Sequence, residues 1–92
     1  MVVTNDLKKG DKVHLRNGWD AKIEDNIKGV TRLATVYGDE TEMGSIYSHD
    51  IQYLFADSRD APIEEARAFT RIGIDHTDDQ TKLRQRIADF GY

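Results

Sequence analysis

The sequence predicts a mainly β protein: a small five-stranded barrel over residues 8–56, followed by a C-terminal α-helical extension over residues 57–92. Short runs of alternating apolar and polar residues follow one another from Lys12 to Phe55, as the period of two in a strand requires. Only three polar residues connect the last two runs, and such tight reversals are typical of small barrels. From Ala56 onward the apolar residues adopt the spacing of helices.

The first two strands are predicted as a hairpin around Asn17-Gly18, because this dipeptide favours a two-residue turn. Val13 and Leu15 lie on one face of strand one. The core face of strand two is then expected to present Trp19, Ala21 and Ile23.

Three further strands follow a polar break at residues 25–29, and they span Val30–Tyr37, Thr41–Tyr47 and Ile51–Phe55. The β-branched and aromatic content of these runs favours strands. Because strand five has apolar residues on both faces, we expect its edge to be covered.

The helical extension is predicted as two helices. The first has Asp60 as its cap, Pro62 in its first turn and Gly73 at its end, and its buried stripe is Ile63, Ala66, Phe69 and Ile72. The second begins at the capping-box spacing of Thr77 and Gln80, and its stripe is Leu83, Ile87 and Phe90.

Composition limits the classes of function. A net charge of −4 argues against indiscriminate binding to a phosphate backbone, so any nucleic-acid site must be local. The chain has no cysteine and no apolar run long enough for a membrane span, which predicts a cytoplasmic protein without a membrane partner.

Catalytic and metal chemistry are not expected. His14, His49 and His76 are widely separated and lack a Cys or carboxylate at ligand spacing, which argues against a zinc site. A nucleophile, a base and an orienting carboxylate do not recur at a recognisable spacing. We therefore predict neither an enzyme nor a cofactor.

Two segments resemble signatures of a known family. The run Val13-His14-Leu15-Arg16-Asn17-Gly18 is similar to the first signature of the Sm-like family, particularly its bacterial RNA-chaperone branch, and Tyr47-Ser48-His49-Asp50-Ile51 is similar to the second. The resemblance covers residues 9–55. The chain also resembles a group of small Sm-like proteins encoded by marine phages. The chain departs from the pattern at Ser48, where that branch has a lysine, and in having its predicted helices at the C-terminal end.

The resemblance implies a homo-oligomeric ring of about five to seven copies. In such rings strand four of one copy pairs with strand five of the next, which assigns the interface to Tyr53, Leu54 and Phe55. It also implies binding of single-stranded RNA or DNA, with a role in its processing or remodelling. The implied binding residues come from the loop after strand two and the turn after strand four: Asp25, Asn26, Ile27, Lys28, Tyr47, Ser48 and His49.

A second interpretation stays open. Lys9-Gly10-Asp11, followed by Val13, is equally typical of the start of an SH3-type barrel. Such a barrel would act as a protein-binding or structural module, including in a phage, and its helical tail would dock a partner.

Overall fold

The structure, a computed structural model, describes residues 2–76. It confirms a mainly β chain, and the five strands predicted between Lys12 and Phe55 are present as β2 to β6. The strands are β1 (Val2–Val3), β2 (Lys12–Leu15), β3 (Asp20–Ile23), β4 (Thr31–Tyr37), β5 (Thr41–Tyr47), β6 (Ile51–Phe55) and β7 (Arg71–Asp75). One helix, α1 (Ile63–Ala66), precedes β7, and short 3-10 turns occupy Thr4–Asp6 and Ser48–Asp50. None of the helices within residues 2–76 is long and apolar enough to cross a membrane.

The prediction of a closed barrel is wrong, because the strands form one open seven-stranded sheet in the order β1-β7-β6-β2-β3-β4-β5. Among the strand pairs of residues 2–76, only β1 and β7 run parallel. β6 pairs with β2 on one side and with β7 on the other, so it has no edge on which β5 could close the sheet. Within residues 2–76, β5 pairs with β4 alone.

The predicted first helix is also largely wrong, since α1 ends at Ala66 and the chain returns to the sheet as β7. The sequence Arg71-Ile72-Gly73-Ile74-Asp75 alternates apolar and other residues, which suits a strand as well as Ile72 suits a helical stripe. Pairing with β6 and burial of Ile74 favour the strand. The predicted second helix, from Thr77, lies outside the described residues.

β7 also changes the expected oligomer interface. It pairs with Tyr53, Leu54 and Phe55, so the edge of β6 that a neighbouring copy would need is occupied within the chain. Phe55 is buried and Leu54 packs against the core. Pairing of a neighbouring copy with this edge of β6 would require β7 to leave it, and the ring itself stays a prediction.

Buried apolar side chains of the described strands form one core cluster. Its fully buried members come from every strand except the two-residue β1, together with the segment before β2: Leu7, Val13, Leu15, Ala21, Ile23, Ala34, Ile46, Ile51 and Ile74. Phe55, Ile63 and Ala66 are also buried, but they are not members of this cluster. Burial of this apolar surface is the main force that holds the strands together.

The first hairpin has a three-residue loop instead of the expected two-residue turn. The N–H of Gly18 donates to the carbonyl of Leu15 over 3.0 Å, and the N–H of Leu15 donates to the carbonyl of Trp19 over 2.8 Å. Gly18 has a φ of 95° whereas Asn17 does not have a positive φ, which fits a type I turn followed by a glycine bulge. Trp19 lies opposite Leu15 at the end of this hairpin, just before β3, and the residue is 43% exposed, so the core position predicted for it is wrong.

The buried guanidinium of Arg32 connects three parts of the chain. Its side chain is 0% exposed, and its Nε donates to Asp25 Oδ1 over 2.7 Å. Its Nη1 donates to the carbonyl of Thr4, and its Nη2 donates to the carbonyls of Leu7 and Asp25, over 2.8 to 2.9 Å. A buried charge is tolerated only when it is paired and hydrogen-bonded, as here.

Replacing this cation tests its importance. We expect Arg32→Met to lower the free energy of unfolding by about 3–5 kcal/mol, because Asp25 and the carbonyls lose their partner. The matched control is Arg67→Met, which removes a half-exposed ion pair with Asp20 and costs about 0–1 kcal/mol. Urea unfolding followed by circular dichroism measures both, and equal losses would contradict the role given to Arg32.

Candidate nucleic-acid interface

The loop between β3 and β4 and the turn between β5 and β6 meet at one end of the sheet. The N–H of Ser48 donates to the carbonyl of Val30 over 2.7 Å, and Thr31 pairs with Tyr47 at the start of the β4–β5 ladder. Val30 and Thr31, which follow the first segment assigned to nucleic-acid binding, therefore lie beside the second segment within a single copy. The contact between the loop and the turn is made by main-chain hydrogen bonds of one chain, so it does not need a second subunit.

Large side chains at this junction are exposed. Ile27 and Tyr47 have exposed fractions of 66% and 56%, and Val30 is similarly exposed. The rings of Tyr47 and His49 stack with centroids 5.3 Å apart and planes 16° apart. A stacked pair of accessible rings offers a flat face to an unpaired base.

The turn carrying His49 is anchored to the first hairpin by Arg16. Arg16 Nε donates to the carbonyl of His49 over 2.6 Å, and the N–H of Arg16 donates to the carbonyl of Asp50 over 2.9 Å. Arg16 therefore places a positive charge beside the ring pair. Arg16 is not among the residues predicted for the site, although it lies inside the first family-like segment.

Some residues assigned to the site are exposed. Asn26 and Lys28 are both exposed, and Asn26 Oδ1 accepts a hydrogen bond from the N–H of Lys9 over 2.9 Å. We use the name loop–turn surface for the exposed residues of the loop after β3, of the turn after β5 and of the Arg16 anchor: Arg16, Asn26, Ile27, Lys28, Val30, Tyr47 and His49.

Two other assigned residues have structural roles. Ser48 is 1% exposed, so its side chain does not reach the loop–turn surface. Asp25 binds Arg32 and also accepts the N–H of Leu33 on Oδ2 over 2.9 Å. Asp25 thus holds the base of the loop while its neighbours face solvent.

The electrostatics of Asp25 follow from these contacts. Burial alone would raise the pKa of its carboxyl group, since a charge loses favourable hydration there. The hydrogen bond from Leu33 and the guanidinium of Arg32 outweigh burial and hold this pKa below its usual value.

A second aromatic group lies away from this surface, on β6. The ring of Tyr53 stacks on His14 with centroids 4.7 Å apart, and the guanidinium carbon of Arg71 lies 4.9 Å from the centre of the Tyr53 ring. His14 Nδ1 is 2.7 Å from Asp20 Oδ1, and Asp20 also binds Arg67. These contacts link β2, β6, β7 and the segment after α1, so Tyr53 has partners within its own chain.

A cleft of about 520 Å³ opens beside the exposed ring of Trp19. The ring lies against Gly38 so closely that a Cβ at that position would come within 2.8 Å of it. Acidic side chains border the cleft at Asp39, Glu40 and Glu42. The arrangement combines an aromatic face with negative charge, which suits a cation.

No protein-family model, curated protein or solved structure matches this chain. Within residues 2–76, no group of three or more His, Cys, Asp or Glu side chains is arranged to hold a metal ion.

The lowered pKa of Asp25 predicts a specific acid sensitivity. The ionised group stabilises the folded chain at pH values above its unfolded pKa of about 3.9, and this contribution is lost as the pH falls through the lower folded-state pKa. We expect Asp25→Asn to be less stable at neutral pH and to lose less further stability on acidification. Urea unfolding between about pH 6 and pH 3 measures both slopes, and parallel curves would contradict the assignment.

Proposed function

We propose that the chain binds single-stranded RNA or DNA at the loop–turn surface. The observation that supports this most is the stacked, exposed pair of Tyr47 and His49 beside the cation of Arg16. Stacking of a base on an aromatic side chain is worth about 1–3 kcal/mol. The positive groups of Arg16, beside the turn, and of Lys28, in the loop, would supply phosphate contacts.

The surface is suited to single strands because its recognition groups are flat or short. Unpaired bases expose their faces and edges, whereas the bases of a duplex are already stacked. Asn26 has amide donors for a base edge, and Ile27 and Val30 add apolar contact. The backbone of the surface is fixed by the Ser48–Val30 hydrogen bond, so little ordering is required on binding.

The net charge of −4 supports local recognition with few phosphate contacts. The ring implied by the family resemblance is not part of this proposal, because β7 occupies the edge of β6. Any role in RNA or DNA processing would rest on binding by the loop–turn surface itself.

A second candidate function is recognition of a basic protein segment, in line with the SH3-type interpretation. The observation favouring it is the cleft in which Trp19 faces Glu42 and the Asp39-Glu40 turn. A Lys or Arg side chain over the Trp19 ring would gain from both the aromatic face and the carboxylates. This cleft and the loop–turn surface lie on different segments, so separate variants distinguish the two functions.

Oligonucleotide binding tests the first function. Fluorescence anisotropy with U-rich and A-rich RNA and DNA strands should show that Tyr47→Ala or His49→Ala weakens binding by about 5-fold to 100-fold, because a stacking partner is lost. Tyr37→Ala is the matched control, since Tyr37 lies at the opposite end of the β4–β5 ladder and pairs with Thr41. Its affinity should equal that of the unaltered chain.

The salt dependence of the binding affinity is a second, independent test of the first function. Lys28→Gln should reduce the slope of log affinity against log salt by about one, whereas Lys22→Gln on β3 should leave it unchanged. Lys22 is a suitable control because it lies on β3 and its Nζ is 3.5 Å from the carboxylate of Glu24, which already pairs with its charge. Binding that is absent, or equally strong in Tyr47→Ala and His49→Ala, would refute the proposal.

Intrinsic fluorescence tests the second function, because Trp19 is the single tryptophan of the chain. A Lys-rich peptide should change its emission if it enters the cleft, and a matched Glu-rich peptide should not. In Gly38→Ala the added methyl group displaces the ring, so the affinity for the peptide should fall about tenfold. A lack of any change with the Lys-rich peptide would exclude the cleft as a basic-segment site.

A further inference from the structure

The free edge of β5 lacks the devices that usually protect a sheet edge. β5 spans seven residues with no Lys or Pro and a single charge, at Glu42. Natural edge strands are usually short, charged, interrupted by Pro or twisted away by a bulge. The opposite edge of the sheet is β1, which has only two residues. β5 is thus the long edge that the described chain leaves open.

The hydrogen bonds at both ends of the β4–β5 ladder fix which backbone groups face outward. The N–H of Ser48 donates to the carbonyl of Val30, and the N–H of Gly38 donates to that of Glu40. Bonded pairs alternate with non-bonded pairs in an antiparallel ladder, so the even-numbered residues of β5 bond to β4. The N–H and C=O groups that point away from β4 belong to Thr41, Met43, Ser45 and Tyr47.

The residues along this edge are exposed. Within residues 2–76, β4 is the only strand that pairs with β5. The four residues whose main-chain groups point outward, Thr41, Met43, Ser45 and Tyr47, are all exposed. Another strand can therefore pair with β5 while β4 stays in place.

We propose that two copies of the chain pair antiparallel through β5, with the two-fold axis at Gly44. This register places Thr41 opposite Tyr47 and Met43 opposite Ser45 of the second copy, and each pair occurs twice. Every outward-facing residue then lies in a bonded pair, which gives about eight main-chain hydrogen bonds. Shifting the register by two residues in either direction leaves some of these groups unpaired.

A second copy fits this edge because the sequence of β5 is compatible with itself. The register places Glu42 opposite Ile46, and the two Glu42 carboxylates lie about 14 Å apart along the strands. That separation exceeds the Debye length of about 8 Å at physiological ionic strength, so their repulsion is weak. The paired outward residues are uncharged on both copies.

The dimer would bring two loop–turn surfaces onto one continuous sheet, and this consequence rests on the proposed function. The two Tyr47 residues lie six positions apart in the register, or about 20 Å. One nucleic-acid strand that reaches both sites gains affinity through effective concentration. The pairing itself does not require nucleic acid and is tested without it.

Amide hydrogen exchange of the full chain tests the register residue by residue. Raising the protein concentration should slow exchange at Met43, Ser45 and Tyr47, whose amides enter the new ladder, at least tenfold. Exchange at Glu42, Gly44 and Ile46 should change less, because β4 already holds those amides. Sedimentation velocity over the same concentrations should show a monomer–dimer equilibrium.

Substitutions at the edge provide the matched comparison. Ser45→Pro removes an outward N–H while leaving the bonds to β4 in place, so the dimer dissociation constant should rise at least tenfold. Ser45→Ala keeps the N–H and should dimerise like the unaltered chain. Circular dichroism confirms that each variant is folded.

A charge exchange tests the same register without proline. Met43 is exposed, and its two copies would be diagonal neighbours about 7–8 Å apart. Met43→Lys and Met43→Glu should each dimerise less than the unaltered chain, and an equimolar mixture of the two should recover the dimer.

Three outcomes would overturn the proposal. The first is a monomer at every concentration. The second is protection of the outward amides that does not depend on concentration, which would indicate an occupant from residues 77–92. The third is a multimer that neither Ser45→Pro nor the Met43 charge variants weaken, since another surface would then form it.

Discussion

The buried guanidinium of Arg32 is the interaction on which the arrangement of this sheet depends. It joins the first turn of the chain, the loop after β3 and strand β4 through hydrogen bonds to Thr4, Leu7 and Asp25. A buried guanidinium has no water to bind, so its N–H groups must donate to protein oxygens in a fixed geometry. It therefore favours one conformation of the loop over the others. The exposed residues of the loop–turn surface extend from that fixed base. The conformation of the loop at the candidate site is thus set by the buried contacts of Arg32.

Neighbouring residues in the loop and turn divide between structure and surface. Asp25 faces inward to Arg32 while Ile27 faces solvent, and Ser48 is buried while Tyr47 and His49 are exposed. This alternation keeps the main chain rigid and leaves recognition groups accessible. The same division explains how an acidic chain can present a small surface rich in aromatic and positive groups.

The sequence predicts strands β2 to β6 well because their alternation is local and strong. It predicts the loop and turn of the candidate site, but it does not reveal which side chains point inward. The inward position of Asp25 depends on Arg32, a residue type that is almost never fully buried without partners. Whether residues 71–75 form a helix or a strand depends on pairing with β6, which the local pattern does not reveal. The exposure of Trp19 depends on its place at the end of the first hairpin, against Gly38 of a later turn, which the local alternation does not reveal either.

The parallel pairing of β1 with β7 has a consequence for the order of folding. Val2 lies beside Ile74, so this contact closes almost the whole described chain into a loop. The meander of β3, β4 and β5 joins residues close in sequence and loses much less chain entropy when it forms. Nucleation is therefore favoured in the meander, and the edge made by β7 and β1 is added late. During synthesis, the sheet remains incomplete until residue 75 has left the ribosome.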